Sequence, residues 1–125
     1  MKYLLALLLV LSTCTPVAAQ EKFVRPVVGQ EALVADACTY AGHQTMLAVV
    51  RQATSSVAVQ MRYKELLNEG LCKRFGKSRA TVLELVYHFT VTRPAGRMDV
   101  YSWRFEREGE EWWAPWYERS THDDI

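Results

Sequence analysis

Apolar residues recur at a helical period in the first half of the chain and at a period of two in the second half. Over residues 39–53 they form a patchy apolar face, and over residues 57–68 they fit a period of 3.6 better than a period of two, as in an α-helix. Residues 57–61 taken alone also fit a strand, so the start of the second helix stays open. Thr39 is suited to be the N-cap of the first helix, and Gly70 to be the C-terminal cap of the second. The pattern predicts two helices joined by a short turn.

Residues 81–92 are rich in β-branched and aromatic types that alternate between two faces, as in a β-strand. Pro94 and Gly96 supply a hairpin turn before a second strand at 98–107. A third strand follows at 112–118, and Pro115 within it favours a sheet edge or a bulge. These segments predict a three-stranded antiparallel β-meander. Ahead of the helices, residues 20–30 predict an extended lead-in with a short edge strand at Val24, Val27 and Val28.

The N-terminal residues have the three parts of a secretory signal peptide. Lys2 is followed by an apolar run at 4–11 and by the small residues Ala18 and Ala19, and the run is shorter than the roughly 20 residues that span a bilayer. We expect residues 1–19 to be removed by cleavage before Gln20, leaving residues 20–125 as one small domain whose tail, 120–125, is frayed. The mature protein is then periplasmic or secreted.

Cleavage of the signal peptide determines which cysteines the mature protein contains. Cys14 lies in the leader, so cleavage leaves Cys38 and Cys72 as an even pair in an oxidising compartment, where a disulfide is expected. Together these features predict an α+β fold in which a disulfide-stapled helical N-terminal half packs on the three-stranded antiparallel β-meander. An alternative keeps Cys14: residues 11–14 resemble the lipobox of bacterial lipoproteins, which implies a lipid anchor on that cysteine.

Charge and histidine spacing exclude several classes of function. Basic and acidic residues number 15 and 14, and a balanced charge disfavours a nucleic-acid partner. The three histidines show no metal-ligand spacing, and no nucleophile or phosphate-binding motif is present. We therefore assign no catalytic, cofactor-binding or metal-binding residue. His88 beside Glu84 on one strand face is the sole catalytic pair that we consider, and a polar, solvent-facing strand explains it as well.

All four tryptophans lie in the second and third strands. Trp112 and Trp113 are adjacent, so alternation places their rings on opposite faces of the sheet. If the helices cover one face, one large ring is exposed to water, as in protein-binding surfaces rich in Trp and Tyr. The candidate partner-binding residues are Trp112, Trp113, Trp116 and Tyr117.

The sequences around the two cysteines, Ala37-Cys38-Thr39-Tyr40-Ala41 and Asn68-Glu69-Gly70-Leu71-Cys72, open and close the helical half. With the leader and the aromatic meander, they resemble small exported bacterial proteins of unknown function that carry one disulfide. The resemblance implies a location and a topology and transfers no functional residue. The function we expect is that of a secreted or periplasmic, non-enzymatic binding or accessory module, for example an inhibitor, whose partner is another envelope or extracellular protein. The alternative is a small envelope hydrolase or ligand carrier.

Overall fold

The computed structural model describes residues 22–53 and 55–121. The predicted signal peptide, its cleavage site and Cys14 lie outside these residues, as does most of the predicted frayed tail. Ser120 is not frayed, because its N–H donates to the Arg97 carbonyl at 2.9 Å. The described helices and strands are α1 (Tyr40–Gln52), α2 (Ser56–Asn68), β1 (Glu31–Cys38), β2 (Cys72–Thr81), β3 (Glu84–Arg93), β4 (Gly96–Arg107) and β5 (Glu110–Arg119).

Both predicted helices are confirmed, together with their caps. The Thr39 hydroxyl accepts the N–H of Gly42 at 3.2 Å and caps α1. At the end of α2, Gly70 adopts a φ of +79°, which glycine reaches without steric cost. The N–H of Leu71 then donates to the Leu66 carbonyl at 3.0 Å. This is the bonding of a Schellman motif, so α2 ends where the sequence predicts.

The strands form one antiparallel sheet in the order β2-β1-β5-β4-β3. The predicted meander is present as β3, β4 and β5, but the predicted fold class is wrong. Two further strands, β1 and β2, flank the helices and extend the sheet beyond β5. The described residues therefore form a five-stranded sheet with both helices inserted between β1 and the edge strand β2, rather than a helical half packed on three strands.

The strands β1 and β2 were not predicted, because their sequences lack the pattern typical of strands. β2 is an edge strand in which Lys and Arg residues dominate, as is common at exposed edges, and its register against β1 shifts where Gly76 and Lys77 take positive φ. β1 is rich in alanine, a weak strand former. The short strand predicted at Val24–Val28 is also wrong, because residues 22–27 have no regular structure and a turn begins at residue 28.

The predicted disulfide between Cys38 and Cys72 is confirmed. The two residues face each other across β1 and β2, so the bond joins the end of β1 to the start of β2 and closes the segment that contains both helices. Gly42 fits tightly beside it, since a Cβ there would lie 2.8 Å from the Leu71 carbonyl oxygen. The lack of a side chain lets α1 begin directly against this junction.

A β-bulge in β3 decides which side chains face the helices. The register with β4 shifts between Tyr87 and Phe89, which leaves His88 as the extra residue. After the bulge, Phe89 and Val91 point to the helix face and pack with Leu47, Val50 and Val100. The sequence pattern places Phe89 and Val91 on the same face as Leu85, which is wrong because it assumes an uninterrupted period of two.

The opposite face of the sheet has its own core. Trp103, Phe105 and Trp112 are buried there against small side chains of β1 and β2. Phe75 on β2 makes edge-on ring contacts with Phe105 and Trp112, at 5.3 Å in each case. Since β2 and β4 are not neighbours in the sheet, these contacts show that the sheet curls toward this face and covers it.

Candidate functional site: a cleft beneath the helices

A cleft separates the helices from the sheet, because α2 is anchored mainly at one end. Leu66, in its last turn, is buried against the disulfide. Nearer the start of the helix, Val57 and Met61 are 60% and 61% exposed, and Val59 between them is partly buried. A cavity of about 190 Å³ lies under this part of the helix.

The walls of this inner cavity are largely aliphatic. Met46, Leu47 and Val50 of α1 and Val59 of α2 form one side, and Pro115 and Tyr117 of β5 lie on the other. Pro115 has no N–H, and the pairing of β1 with β5 is confined to Cys38 opposite Trp113. The cavity is larger than the 150 Å³ apolar cavities that bind benzene in engineered proteins. Its size and composition suit a small apolar ligand.

The inner end of the cavity carries a polar pair. The Tyr63 hydroxyl of α2 donates to the Asp36 carboxylate of β1 at 2.5 Å. Burial raises the pKa of Tyr63 well above its usual range, and the hydrogen bond to Asp36 raises it further, while Arg74 acts in the opposite direction. The phenol therefore stays protonated, and one carboxylate oxygen of Asp36 is already hydrogen-bonded.

The outer end of the cavity opens into a groove of about 430 Å³. Val50, Val59, Gln60 and Tyr117 line both spaces, so the cavity and groove adjoin. Val91 and Met98 form the floor of the groove on the sheet. Arg93 lies at its side and donates from Nη2 to the Val50 carbonyl at 2.7 Å. We call the cavity and groove together the helix–sheet cleft.

A buried hydrogen-bonded trio lies next to the cleft. Nε2 of His43 and Nε2 of His88 both bond to Oγ of Ser102, the latter at 2.6 Å. The hydroxyl has one proton, so it donates to one imidazole while the other imidazole donates to it. His43 also stacks on the Trp113 ring at 6.0 Å.

Burial sets the charge state of this trio. Burial, with a smaller effect from the nearby His88, lowers the pKa of His43 to about 4. Burial also lowers the pKa of His88, with a smaller effect from Arg51. Both rings are therefore neutral near pH 7. Since Ser102 is fully buried between them, the trio fastens α1 to the sheet and offers no accessible nucleophile.

The structure does not join His88 to Glu84. Glu84 accepts from Arg104 at 3.1 Å, whereas His88 is directed by the bulge toward Ser102. Within residues 22–53 and 55–121, no group of three or more His, Cys, Asp or Glu side chains is placed to hold a metal ion. Neither described helix is long and apolar enough to cross a membrane.

The predicted partner-binding residues are spread over both sides of the sheet. Trp112 is buried in the curled core, and Trp113 is buried under α1, with its Nε1–H donating to Glu111 at 2.9 Å. The expectation that one of these rings is exposed is wrong, because the curled sheet covers one face and α1 covers the other. Trp116 is half-buried, and Tyr117 is 39% exposed at the cleft.

The sequence reading missed the cleft, although part of its signal was available. The apolar residues of α2 spread around the helix without forming one stripe, which indicates a helix that is only partly packed. The hydrogen bond between Tyr63 and Asp36 could not be predicted, because Asp36 lies on a strand that was not predicted and Tyr63 is distant from it in sequence.

Comparison with known proteins adds no assignment. No protein-family model matches the chain, and the searches of curated proteins and of solved structures found no significant match. The resemblance to small exported proteins therefore stays a prediction.

Proposed function

We propose that this protein is a non-enzymatic binding module that acts after export, and that the helix–sheet cleft is its binding site. The observation that supports this most strongly is the pair of adjoining, mainly aliphatic spaces of about 190 Å³ and about 430 Å³ between the helices and the sheet. Small-molecule sites have this anatomy: an apolar concavity with a few placed polar groups. This geometry favours a ligand carrier, which we considered from the sequence as the alternative to a protein-binding accessory module.

The disulfide supports the exported location. Stable disulfides are characteristic of oxidising compartments, and Cys38–Cys72 together with the lack of a membrane-crossing helix among the described residues is compatible with an exported protein. We propose that the leader is cleaved before Gln20. Intact-mass analysis of protein recovered from the periplasm or medium tests this, since retention of Met1 contradicts export and an acylated Cys14 indicates a lipid anchor instead.

A second candidate is an accessory or inhibitory subunit that binds another protein. It is supported by Val57 and Met61, which lie one turn apart on α2 and are both highly exposed. Apolar side chains on one face of a helix are a frequent basis for helix-mediated recognition. A partner of this kind would lose affinity when Met61 is replaced by Glu.

A substitution that fills the cleft tests whether the cleft binds a small apolar ligand. A neutral naphthylamine dye should bind the oxidised protein and gain fluorescence in the apolar space. Val59→Phe should weaken dye binding by about tenfold or more, because the ring occupies the space that the dye needs. Val57→Phe is the matched control, since it adds the same ring on the same helix but outside the cleft, and it should leave binding unchanged. Equal effects of the two substitutions, or no dye binding at all, would contradict a binding site in the cleft.

A further inference from the structure

We infer that the ligand of the helix–sheet cleft is a single-chain amphiphile with an anionic headgroup, its chain under the helices and its headgroup at Arg93. This inference rests on the proposed function, because it requires that the cleft binds a small molecule. It deepens that function by naming the chemical class of the ligand.

The shape and lining of the cleft favour an alkyl chain. The inner cavity and outer groove share side chains of α1, α2 and β5 and so adjoin, and a flexible chain could extend from one into the other. Its walls come mostly from aliphatic side chains such as Leu47, Val59 and Met98, which adapt to a flexible chain. Sugars and planar ligands favour stacked aromatic platforms, whereas the tryptophan rings of this protein lie outside the lining of the cleft.

The charges along the cleft favour an anion at the outer end. Arg93 is the charged side chain among the described residues that line the outer groove. It donates to the backbone carbonyls of Thr92 and Val50, and a guanidinium has five N–H donors, so further donors remain for a ligand. Asp36, the acid among the described residues that line the inner cavity, lies at the opposite end and already accepts from Tyr63.

The charges along the cleft therefore predict how the ligand is oriented. A carboxylate or phosphate at Arg93 gains a charge-assisted hydrogen bond, and the chain runs inward over Val50 and Val59 toward Met46 and Leu47. A cationic headgroup at the same place would face the Arg93 charge. Both a fatty-acid carboxylate and a monoacyl phosphate have the required chemistry.

Three ligands with the same chain test the inference in the oxidised protein. Dodecanoate, dodecanol and dodecyltrimethylammonium are each titrated against the bound naphthylamine dye, below the concentrations at which they form micelles. In displacing the dye, dodecanoate should show a Kd at least tenfold lower than that of the ammonium compound. Affinity for the carboxylates should rise with chain length, by up to about fourfold for each methylene, until the inner cavity is filled. Dodecyl phosphate is titrated in the same way, and comparing its Kd with that of dodecanoate shows which of the two headgroups, phosphate or carboxylate, the site prefers.

A second experiment replaces Arg93. Arg93→Gln should weaken dodecanoate binding by about tenfold and leave dodecanol binding unchanged, and Arg93→Lys should restore most of the loss. Arg119→Gln is the matched control, since Arg119 also donates to a backbone carbonyl, that of Ala95, but lies outside the cleft lining. It should not change dodecanoate binding.

The outcomes separate this inference from the proposed function. If dodecanoate binds no better than the ammonium compound, or if Arg119→Gln and Arg93→Gln have equal effects, the anionic amphiphile is refuted. If dodecanol and the dye still bind in that case and Val59→Phe still blocks them, the cleft remains a binding site for a neutral ligand. If neither the dye nor any of the four dodecyl compounds binds, the inference and the proposed function both fail.

Discussion

Single residues account for much of the difference between a regular sheet and this one. His88 is inserted as a bulge in β3, which moves Phe89 and Val91 to the helix face and brings the His88 ring to Ser102. Ser102 is thereby bonded to two imidazoles, one from β3 and the other, His43, from α1. A buried polar group is tolerated when it is hydrogen-bonded, and this trio fastens α1 at a defined position over the sheet.

The buried His43 makes stability depend on pH. Its pKa is about 4 in the folded protein, against an ordinary value of 6.5 in the unfolded chain, so below pH 6.5 the unfolded chain binds a proton that the folded protein does not. The free energy of unfolding should therefore fall as the pH drops from 6.5 to about 4, by about 3 kcal/mol in total. Urea unfolding across this range measures the loss.

The matched variant for this measurement is His43→Gln, whose amide can still bond to Ser102 but does not titrate. Its stability should fall less than that of the wild type over the same interval, by about the 3 kcal/mol assigned to His43. Carboxylates contribute equally to both proteins. An identical pH dependence in the two proteins would show that His43 is not held neutral by the fold.

At the scale of elements, the position of strand β5 explains why Trp112 and Trp113 are both buried. Its alternation sends Trp112 and Trp113 to opposite faces, as the sequence predicts, but both faces are covered. The curled β2 brings Phe75 onto Trp112, and α1 brings His43 and Tyr40 onto Trp113. Pro115 had favoured an edge or a bulge; the strand lies between β1 and β4, and its pairing with β1 is confined to Cys38 opposite Trp113.

Replacement of either buried tryptophan should destabilise the protein. Trp112→Ala and Trp113→Ala should each lower the free energy of unfolding by about 3–5 kcal/mol, because each leaves a large cavity. Tyr87→Ala, which removes an aromatic ring that is 48% exposed on β3, should have a much smaller effect. Chemical denaturation measures all three. A tryptophan variant as stable as the wild type would restore the interpretation of that ring as a surface residue.

At the scale of the molecule, the disulfide and the helix insertion belong together. Both helices lie between β1 and β2, and the Cys38–Cys72 bond joins those strands where the insertion leaves and re-enters the sheet. The hydrogen bond from the Thr39 N–H to the Leu71 carbonyl, at 2.8 Å, closes the same junction. The helix pair is thus held firmly at this end, and the cleft extends from Cys38 at this junction to the outer groove at Arg93.

Removal of the disulfide should therefore loosen the helices more than the meander. The double substitution Cys38→Ala with Cys72→Ala should reduce stability by about 3–4 kcal/mol, the entropy of closing a loop of this length in the unfolded chain. Hydrogen exchange should show protection lost mainly in α1 and α2, with the β3–β4–β5 amides affected less. A uniform loss across the sheet, or two reactive thiols in the native wild-type protein, would contradict this prediction.

Local features of the chain determined a large part of the structure by themselves. Both helices, the Thr39 and Gly70 caps, the turn at Pro94, and the cysteine pair follow from residues close in sequence or from simple counting. Helix periodicity, capping and turn conformations depend on interactions over a few residues, so the sequence records them directly.

Only the tertiary structure decided how the sheet is completed and where the cleft lies. β1 and β2 are stable as strands because they pair with each other and because small side chains such as Ala32 and Ala80 fit against the buried tryptophans. Neither strand has the local pattern that would predict it. The cleft arises where Val59, Tyr117 and Arg93 converge from three elements. Such convergence depends on long-range packing and on a one-residue bulge, and a periodic pattern contains no information about either.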